Sequence, residues 1–325
     1  MSNRESLSGK TILVTGGAGF IGSHLVDQLI ASGAAHVVVI DNLFVGSEEN
    51  LAQAQATGKL TFYRDDAELN TSLEYIFANH GIDVVFNCAT KALNYSFLNP
   101  ANAFDTNVKV VLNLLELQRR GAFKTMCHFS TSEVYGSAVY EPMDEAHPRN
   151  PTTTYAAGKA AADLAVESYV RMFGVDTFIV RPFNNYGPRQ NFKGMLAGVI
   201  PITAVRVLTG GVPEIHGDGK QSRDFIHVQD TVDAVLKLYA VQPAGETVNI
   251  STDNQVSITE LIERICAYYG YSGEIVRKPA RHSDVLCHNA SNAKVKQLIQ
   301  YSLTSFEDGL ASTLDWYRQQ LGADA

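Results

Sequence analysis

Apolar residues along the chain fall into two alternating textures. Short, nearly solid runs occupy Ile12–Thr15, His36–Ile40, Leu60–Tyr63, Val84–Cys88, Thr125–Ser130 and Val175–Val180, each bounded by glycine or polar residues. Such runs are expected of strands buried on both faces of a parallel sheet. Between them the apolar positions recur at three and four residues, as in Ile21, Leu25 and Leu29, or Val108, Val111, Leu112 and Leu115. That spacing predicts amphipathic helices. Helical segments are read at Ser72–Asn79, Ala101–Arg120 and Thr153–Phe173, with a polar, helix-compatible stretch around Glu48–Ala56. Strands alternating with helices predict an α/β protein with a doubly wound parallel sheet, its crossovers right-handed. Beyond about Phe183 the texture changes. Glycines become frequent (Gly187, Gly194, Gly198, Gly210, Gly211, Gly217, Gly219). Short strands at Glu214–His216 and Thr247–Ile250 stand between helices at Ile200–Leu208, Val228–Ala240 and Thr259–Tyr269. The pattern predicts a sheet domain over 1–183 and a smaller C-terminal α/β lobe over 184–325, with chain passing back toward the first around 225–250.

The turn after the first strand narrows this reading. Gly16, Gly17, Gly19 and Gly22 crowd one turn between strand and helix, and Gly17-x-Gly19-x-x-Gly22 fits a dinucleotide fingerprint. Glycines allow a tight turn and close approach of a pyrophosphate, while the helix N-terminus, opening at Phe20 and Ile21, offers free N–H groups. The second strand ends at Asp41, roughly 20 residues beyond the last glycine, where a carboxylate would accept from a ribose 2′-hydroxyl. A lone glycine motif is weak, but strand, turn, helix, strand and acid in register predict a Rossmann-like domain. Asp41 would repel a 2′-phosphate, and neither Asn42 nor Leu43 supplies a cation, so NAD is expected over NADP.

Composition removes other classes. The net charge of −8 disfavours non-specific nucleic-acid binding. No apolar run approaches the roughly 20 residues of a membrane span, and Met1–Lys10 holds no apolar signal core. Cys88, Cys127, Cys266 and Cys287 are scattered without a CxxC pair, as for reduced thiols in a cytoplasmic protein. The nine histidines show no ligand spacing, so no metal site is expected. His128, inside a strand, reads as core, and Phe123, Phe173 and Trp316 as core or helix packing.

In an open α/β sheet, ligands sit beyond the carboxyl ends of the strands. The residues there are polar: Thr90 and Lys91 after Cys88, Ser130 to Glu133 after Phe129, and Arg181 to Arg189 after Val180. Tyr155 and Lys159, four apart, share a helix face. A tyrosine titrates near pH 10, and a neighbouring ammonium and a positive nicotinamide ring would favour phenolate. Tyr155 is therefore a candidate general base, with Thr131 holding the substrate hydroxyl. Lys91 is open between reaching substrate and solvating a loop.

Six motifs in order, TGGAGFIGSHL, Asp41-Asn42, STSEVYG, Tyr155-Ala-Ala-Gly-Lys159, RPFNNYGPR and GDGKQSRDFIHVQD, resemble the extended short-chain dehydrogenase/reductases. More narrowly the chain is similar to nucleotide-sugar epimerases, 4,6-dehydratases and decarboxylases. The resemblance implies permanently bound NAD, proton removal from a sugar C4 hydroxyl by Tyr155, and Lys159 on the nicotinamide ribose. It implies cofactor contacts from Gly16, Gly19, Gly22, Asp65, Asp66, Ala89, Thr90, Ser130 and Pro182, with Asn107 supporting the loop at Ala89. It places Asn184, Arg223 and Arg281 on the diphosphate, Asp284 on the ribose or base edge, and Leu196 to Pro201 near the base. It also implies a homodimer through the two long helices, and a nucleotide sugar as substrate, UDP-sugars foremost.

Ser132 and Glu133 set the branch. A carboxylate beside Thr131 suits removal of the C5 proton from a 4-keto sugar. The triplet Thr131-Ser132-Glu133 resembles the 4,6-dehydratases acting on GDP-mannose and UDP-N-acetylglucosamine. The dTDP-glucose enzymes carry an aspartate where Ser132 stands, which argues against that substrate. The decarboxylases share the triplet but differ at Lys91–Phe97 and Pro151–Thr154. The expected activity is therefore a 4,6-dehydratase, with a 4-epimerase or UDP-glucuronate decarboxylase as alternatives. Asn94–Phe97, Tyr186–Lys193 and Val139–Pro142 are expected to shape the sugar pocket.

Overall fold

The computed structural model of the chain describes residues 4–280 and 287–322. Seven strands form the central sheet: β1 (Thr11–Thr15), β2 (His36–Ile40), β3 (Leu60–Tyr63), β4 (Val84–Asn87), β5 (Thr125–Phe129), β6 (Asp176–Pro182) and β7 (Thr247–Ile250). Their spatial order is β7-β6-β5-β4-β1-β2-β3, all parallel. The order reverses between β1 and β4, which is where the crevice of a doubly wound sheet opens. Thr15 pairs across that point with Asn87. The sheet takes its edge strand β7 from chain well beyond residue 183.

Alternation along each strand splits the core between the two faces. Ile12, Val14, Val37 and Val39 pack with Leu25 and Leu29 of the Phe20–Ala31 helix and with Val232 and Val235 of the Val228–Val241 helix. Leu13, Val38, Ile40 and Val85 face the opposite way, onto Leu73, Val111, Leu114 and Val166 of the helices Asn70–Asn79, Pro100–Arg119 and Thr154–Phe173. Fully burying each such side chain stabilises the fold by about 2 kcal/mol. Thr153 caps the Thr154–Phe173 helix by accepting from the Ala156 N–H at 3.2 Å, and Gly174 ends it with φ +66°. These caps fix the direction in which Tyr155 and Lys159 leave the sheet edge.

The remaining chain builds a third core from Tyr186, Ile200, Phe225, Leu261, Leu314 and Tyr317. Short pairings stitch it together: Asn184–Tyr186 with Phe225–His227, Ser222–Arg223 with Val256–Ser257 and Cys287–His288, and Glu214–His216 with Val276–Lys278. Phe123 is buried, as the sequence indicates. Phe173 is not: it is 46% exposed at the helix end, edge-on to Tyr169 with the Arg119 guanidinium over its ring. Trp316 is half-buried and packs edge-on to Phe192.

Candidate active site

The carboxyl ends of β1, β2, β4, β5 and β6 open onto one cavity of about 470 Å3. A second cleft of about 210 Å3 adjoins it and shares Asn184, Gly198, Val199 and Phe225. Nearly all sequence-predicted site residues meet in this space.

The floor is backbone. Gly16 leaves β1 at φ +67°, and its N–H donates to the Ile40 carbonyl at 2.8 Å. A Cβ at Gly16 would lie 2.8 Å from the Ala89 nitrogen, and one at Gly22 would run into the Gly16 carbonyl. The Phe20–Ala31 helix starts at Gly19 with no side-chain cap, so its first-turn N–H groups are left for a ligand. This cradle fits a dinucleotide pyrophosphate. Gly16→Ala combines a strained φ with a clash against the Ala89 backbone, so NAD affinity should fall at least about tenfold, about 1.4 kcal/mol, in a calorimetric titration.

Asp41 closes the far side, with more roles than its sequence position indicated. Its carboxylate accepts from the Ala18 N–H at 3.0 Å and the Leu43 N–H at 2.8 Å, bracing the glycine turn while it lines the cavity. Burial pushes its carboxyl pKa up, against those hydrogen bonds. Asn42 donates to Asp66 at 2.8 Å, and Asn42, Asp65 and Asp66 all line the cavity. So do Phe20, Ile21, Ala89, Thr90, Ser130 and Pro182. Asn107 is behind the wall instead. Its Oδ1 accepts from the Thr90 hydroxyl at 2.8 Å and the Lys91 N–H at 3.2 Å, and its amide reaches the Tyr155 carbonyl at 3.4 Å.

Thr131, Ser132, Glu133, Tyr155 and Lys159 line the same cavity. Thr131 caps a single turn, Ser132–Tyr135, by accepting from the Glu133 N–H at 3.2 Å. The Tyr155 phenol is pushed up to about 12 by burial; hydrogen bonding with Thr131 and Thr90 pulls it down, and the Glu133 carboxylate pushes it further up. Lys159 does not lower it here. The ammonium is buried and donates to the Phe129 carbonyl at 2.9 Å. Burial lowers Lys159 to about 8, against the pull of Asp163.

Lys91 resolves toward the interior. Only 8% exposed, it lines the cavity with its ammonium 4.1 Å from the centre of the Phe44 ring and 5.8 Å from that of Tyr95. It is not a solvated loop charge. Toward the second cleft, Asn184 lines both spaces, Leu196 the first, and Arg223 the second beside Arg206, Glu214, His216 and Gln221. Arg281 and Asp284 lie outside the described residues. Of the expected sugar-pocket segments, Gln190 and Asn191 line the main cavity and Asn94 the adjoining one. Val139–Pro142 does not contribute: Val139 is 64% exposed. Among the described residues no acidic, cysteine or histidine cluster could hold a metal ion, and no helix is long and apolar enough to cross a membrane.

A doubly wound parallel sheet, a glycine cradle at its switch point and a tyrosine–lysine pair in one cavity define a dinucleotide-dependent enzyme of the short-chain dehydrogenase/reductase class. The chain belongs to the NAD dependent epimerase/dehydratase family, whose sequence pattern matches residues 12–251. A UDP-glucose 4-epimerase of Mycolicibacterium smegmatis is 33% identical over 313 residues, covering 95% of this chain and 98% of that protein. UDP-glucuronic acid decarboxylase 1 of Arabidopsis thaliana is 31% identical over 318 residues, covering 95% and 70%. A dTDP-glucose 4,6-dehydratase of Streptomyces venezuelae, solved with NAD bound, superposes with a TM-score of 0.91 at 32% identity, covering 96% and 98%. The family thus fixes the cofactor as NAD and spans three reactions.

Proposed function

We propose that this protein is a nucleotide-sugar 4,6-dehydratase. The observation that carries the reading is Glu133, a carboxylate in the same cavity as Thr131 and Tyr155, near enough for its charge to act on the phenol. NAD, when bound, takes up a hydride and gives it back. The chain's own residues handle protons and position. Tyr155 accepts the C4 hydroxyl proton, and the Thr131 hydroxyl holds that oxygen in line. Glu133 takes the C5 proton, which the adjacent C4 carbonyl acidifies, as hydroxide leaves C6 with a proton to form water. Hydride returned at C6 and a proton at C5 complete a 4-keto-6-deoxy sugar.

Asn184 and Arg223, with Arg281 and Asp284, are assigned to the nucleoside diphosphate of a UDP-sugar. A guanidinium suits a phosphate fork. Homodimerisation through Pro100–Arg119 and Thr154–Phe173 belongs to the same reading, since Phe104, Leu112 and Leu164 stand exposed on those helices.

The kinship to UDP-glucose 4-epimerases favours a second reading, in which the keto sugar rotates and Glu133 only binds it. Mass spectrometry of products from UDP-N-acetylglucosamine, UDP-glucose, GDP-mannose and UDP-glucuronate separates the cases. Loss of one water is the expected result. Unchanged mass with inverted C4 would assign the epimerase, and release of carbon dioxide from UDP-glucuronate the decarboxylase.

A further inference from the structure

Behind the cavity lies a buried polar cluster that the roles above leave unused. Asp163 stands one turn after Lys159 on the same helix and is fully buried. Its Oδ2 accepts from the Ser130 hydroxyl at 2.9 Å, and from Arg181 Nε at 3.1 Å and Nη2 at 2.7 Å. Arg181, 3% exposed on β6, also donates through Nη1 to the Tyr135 hydroxyl at 2.9 Å. Tyr135 in turn donates to Asn249 on β7 at 2.8 Å. On the other side, the Asp163 Oδ1 faces His128 Nε2 at 3.7 Å, and His128 Nδ1 meets the Asn87 amide at 3.1 Å.

We infer that Asp163 and Arg181 form a positioning pair that keeps Lys159 cationic and clamps the Ser130–Tyr135 segment, so that the pair sets the alkaline limit of the reaction. The inference rests on the role of Tyr155 and Lys159 given above. Two arguments support it. The first is mechanical. Ser130 immediately precedes Thr131, and Tyr135 closes the turn that carries Glu133, so both ends of the catalytic segment are tied to one ion pair. The second is electrostatic. A buried ammonium is costly, and its only hydrogen bond among those described goes to a neutral carbonyl, that of Phe129. The titratable and charged groups around it are Tyr155 and Asp163 on its own helix, Cys88 and His128 beyond or within the strands beneath, and Arg181 past Asp163. Of these, Asp163 is the one carboxylate, and it raises the lysine against burial. Burial holds His128 neutral, so it adds no competing cation.

A buried ion pair is no guarantee of stability, since well-packed apolar replacements are often neutral. Its retention here is accounted for by the geometry it imposes on the site. Sign and direction follow from the charges. Without the carboxylate, Lys159 releases its proton at lower pH, and the site loses its buried cation there.

The test uses the NAD-loaded protein. Asp163→Asn should move the alkaline limb of the kcat/KM profile down by about one pH unit, an activity loss of about tenfold at pH 8 that narrows toward pH 6. Because Asp163→Asn orphans the Arg181 charge and can unfold the chain, Asp163→Asn/Arg181→Met is the second variant; its limb should also move down, and Asp163→Glu should restore it. A limb that stays in place while activity falls equally at every pH would overturn the inference and leave a purely structural pair. A carbon-13 NMR titration of the lysine side chains, holoprotein against its Lys159→Arg form, needs no sugar. In the double variant the Lys159 ionisation should move to lower pH. It keeps this inference testable even if no nucleotide sugar is turned over, an outcome that would sink only the reading of substrate. An unmoved ionisation sinks the pair.

Discussion

Tyr155→Phe is expected to lower kcat by about 10²- to 10⁴-fold, the range in which a positioned proton acceptor contributes. That corresponds to about 3 to 5 kcal/mol of lost transition-state stabilisation. The change removes one oxygen and leaves the ring in place, so the cradle at Gly16–Gly22 and the contacts of Asp41 should keep their geometry. NAD affinity and KM should therefore change little, and steady-state kinetics with a parallel NAD titration checks both. The pH dependence has a definite sign. In the NAD-free protein burial holds the phenol up at about 12, and Lys159 is lowered to about 8 by the same burial. At neutral pH the lysine is thus charged and the phenol protonated, so Tyr155 needs a further positive charge to act. The nicotinamide ring carries one. Rate should rise with pH as the phenol ionises and fall as Lys159 loses its proton. A Tyr155→Phe enzyme that retained most of its turnover would move the base elsewhere in the cavity.

The parts of this molecule written in local sequence were readable from it. Ile12–Thr15 is apolar on both faces because the strand is covered on both faces, and the structure places β1 inside the sheet, between β4 and β2. Glu214–His216 and Thr247–Ile250 are strands at the residues the pattern marks. The long helices shift by a single residue, to Pro100–Arg119 and Thr154–Phe173, because Asn99 and Thr153 cap them. What local pattern misses is set by distant partners. Asn184–Tyr186 and Phe225–His227 are three residues each and become strands only by pairing across about 40 positions of chain. The helix Phe306–Gln320 escaped because its inward face, Leu310, Leu314 and Tyr317, docks on aromatic residues far upstream such as Tyr186 and Phe192. Asp163 carried a usable signal, lying four residues beyond Lys159 on the same helical face. Nothing in the sequence joined it to Arg181. Lys91 was undecidable from sequence because its partners, Phe44 and Tyr95, lie on a different loop and a short turn.

Glu133→Gln separates the proposed reaction from its relatives. The amide keeps the size of the side chain and the Glu133 N–H bond to Thr131, but it cannot take a proton. Tyr155, Thr131 and Lys159 are untouched, so the C4 hydroxyl should still be oxidised. Mixing the variant with substrate should then give a rapid rise in nicotinamide absorbance at the reduced-cofactor wavelength, with no loss of water from the sugar. In deuterated water the wild-type product should carry deuterium at C5, and the variant's sugar should not. Overall turnover should fall by about 10²- to 10⁴-fold, again the scale of a lost proton-transfer group. If Glu133 serves only to hold the sugar, as the epimerase reading requires, the same substitution raises KM, spares kcat and leaves C5 unlabelled even in the wild type. Full dehydration by Glu133→Gln would remove the carboxylate from the mechanism, and with it the reason for placing this chain among the dehydratases.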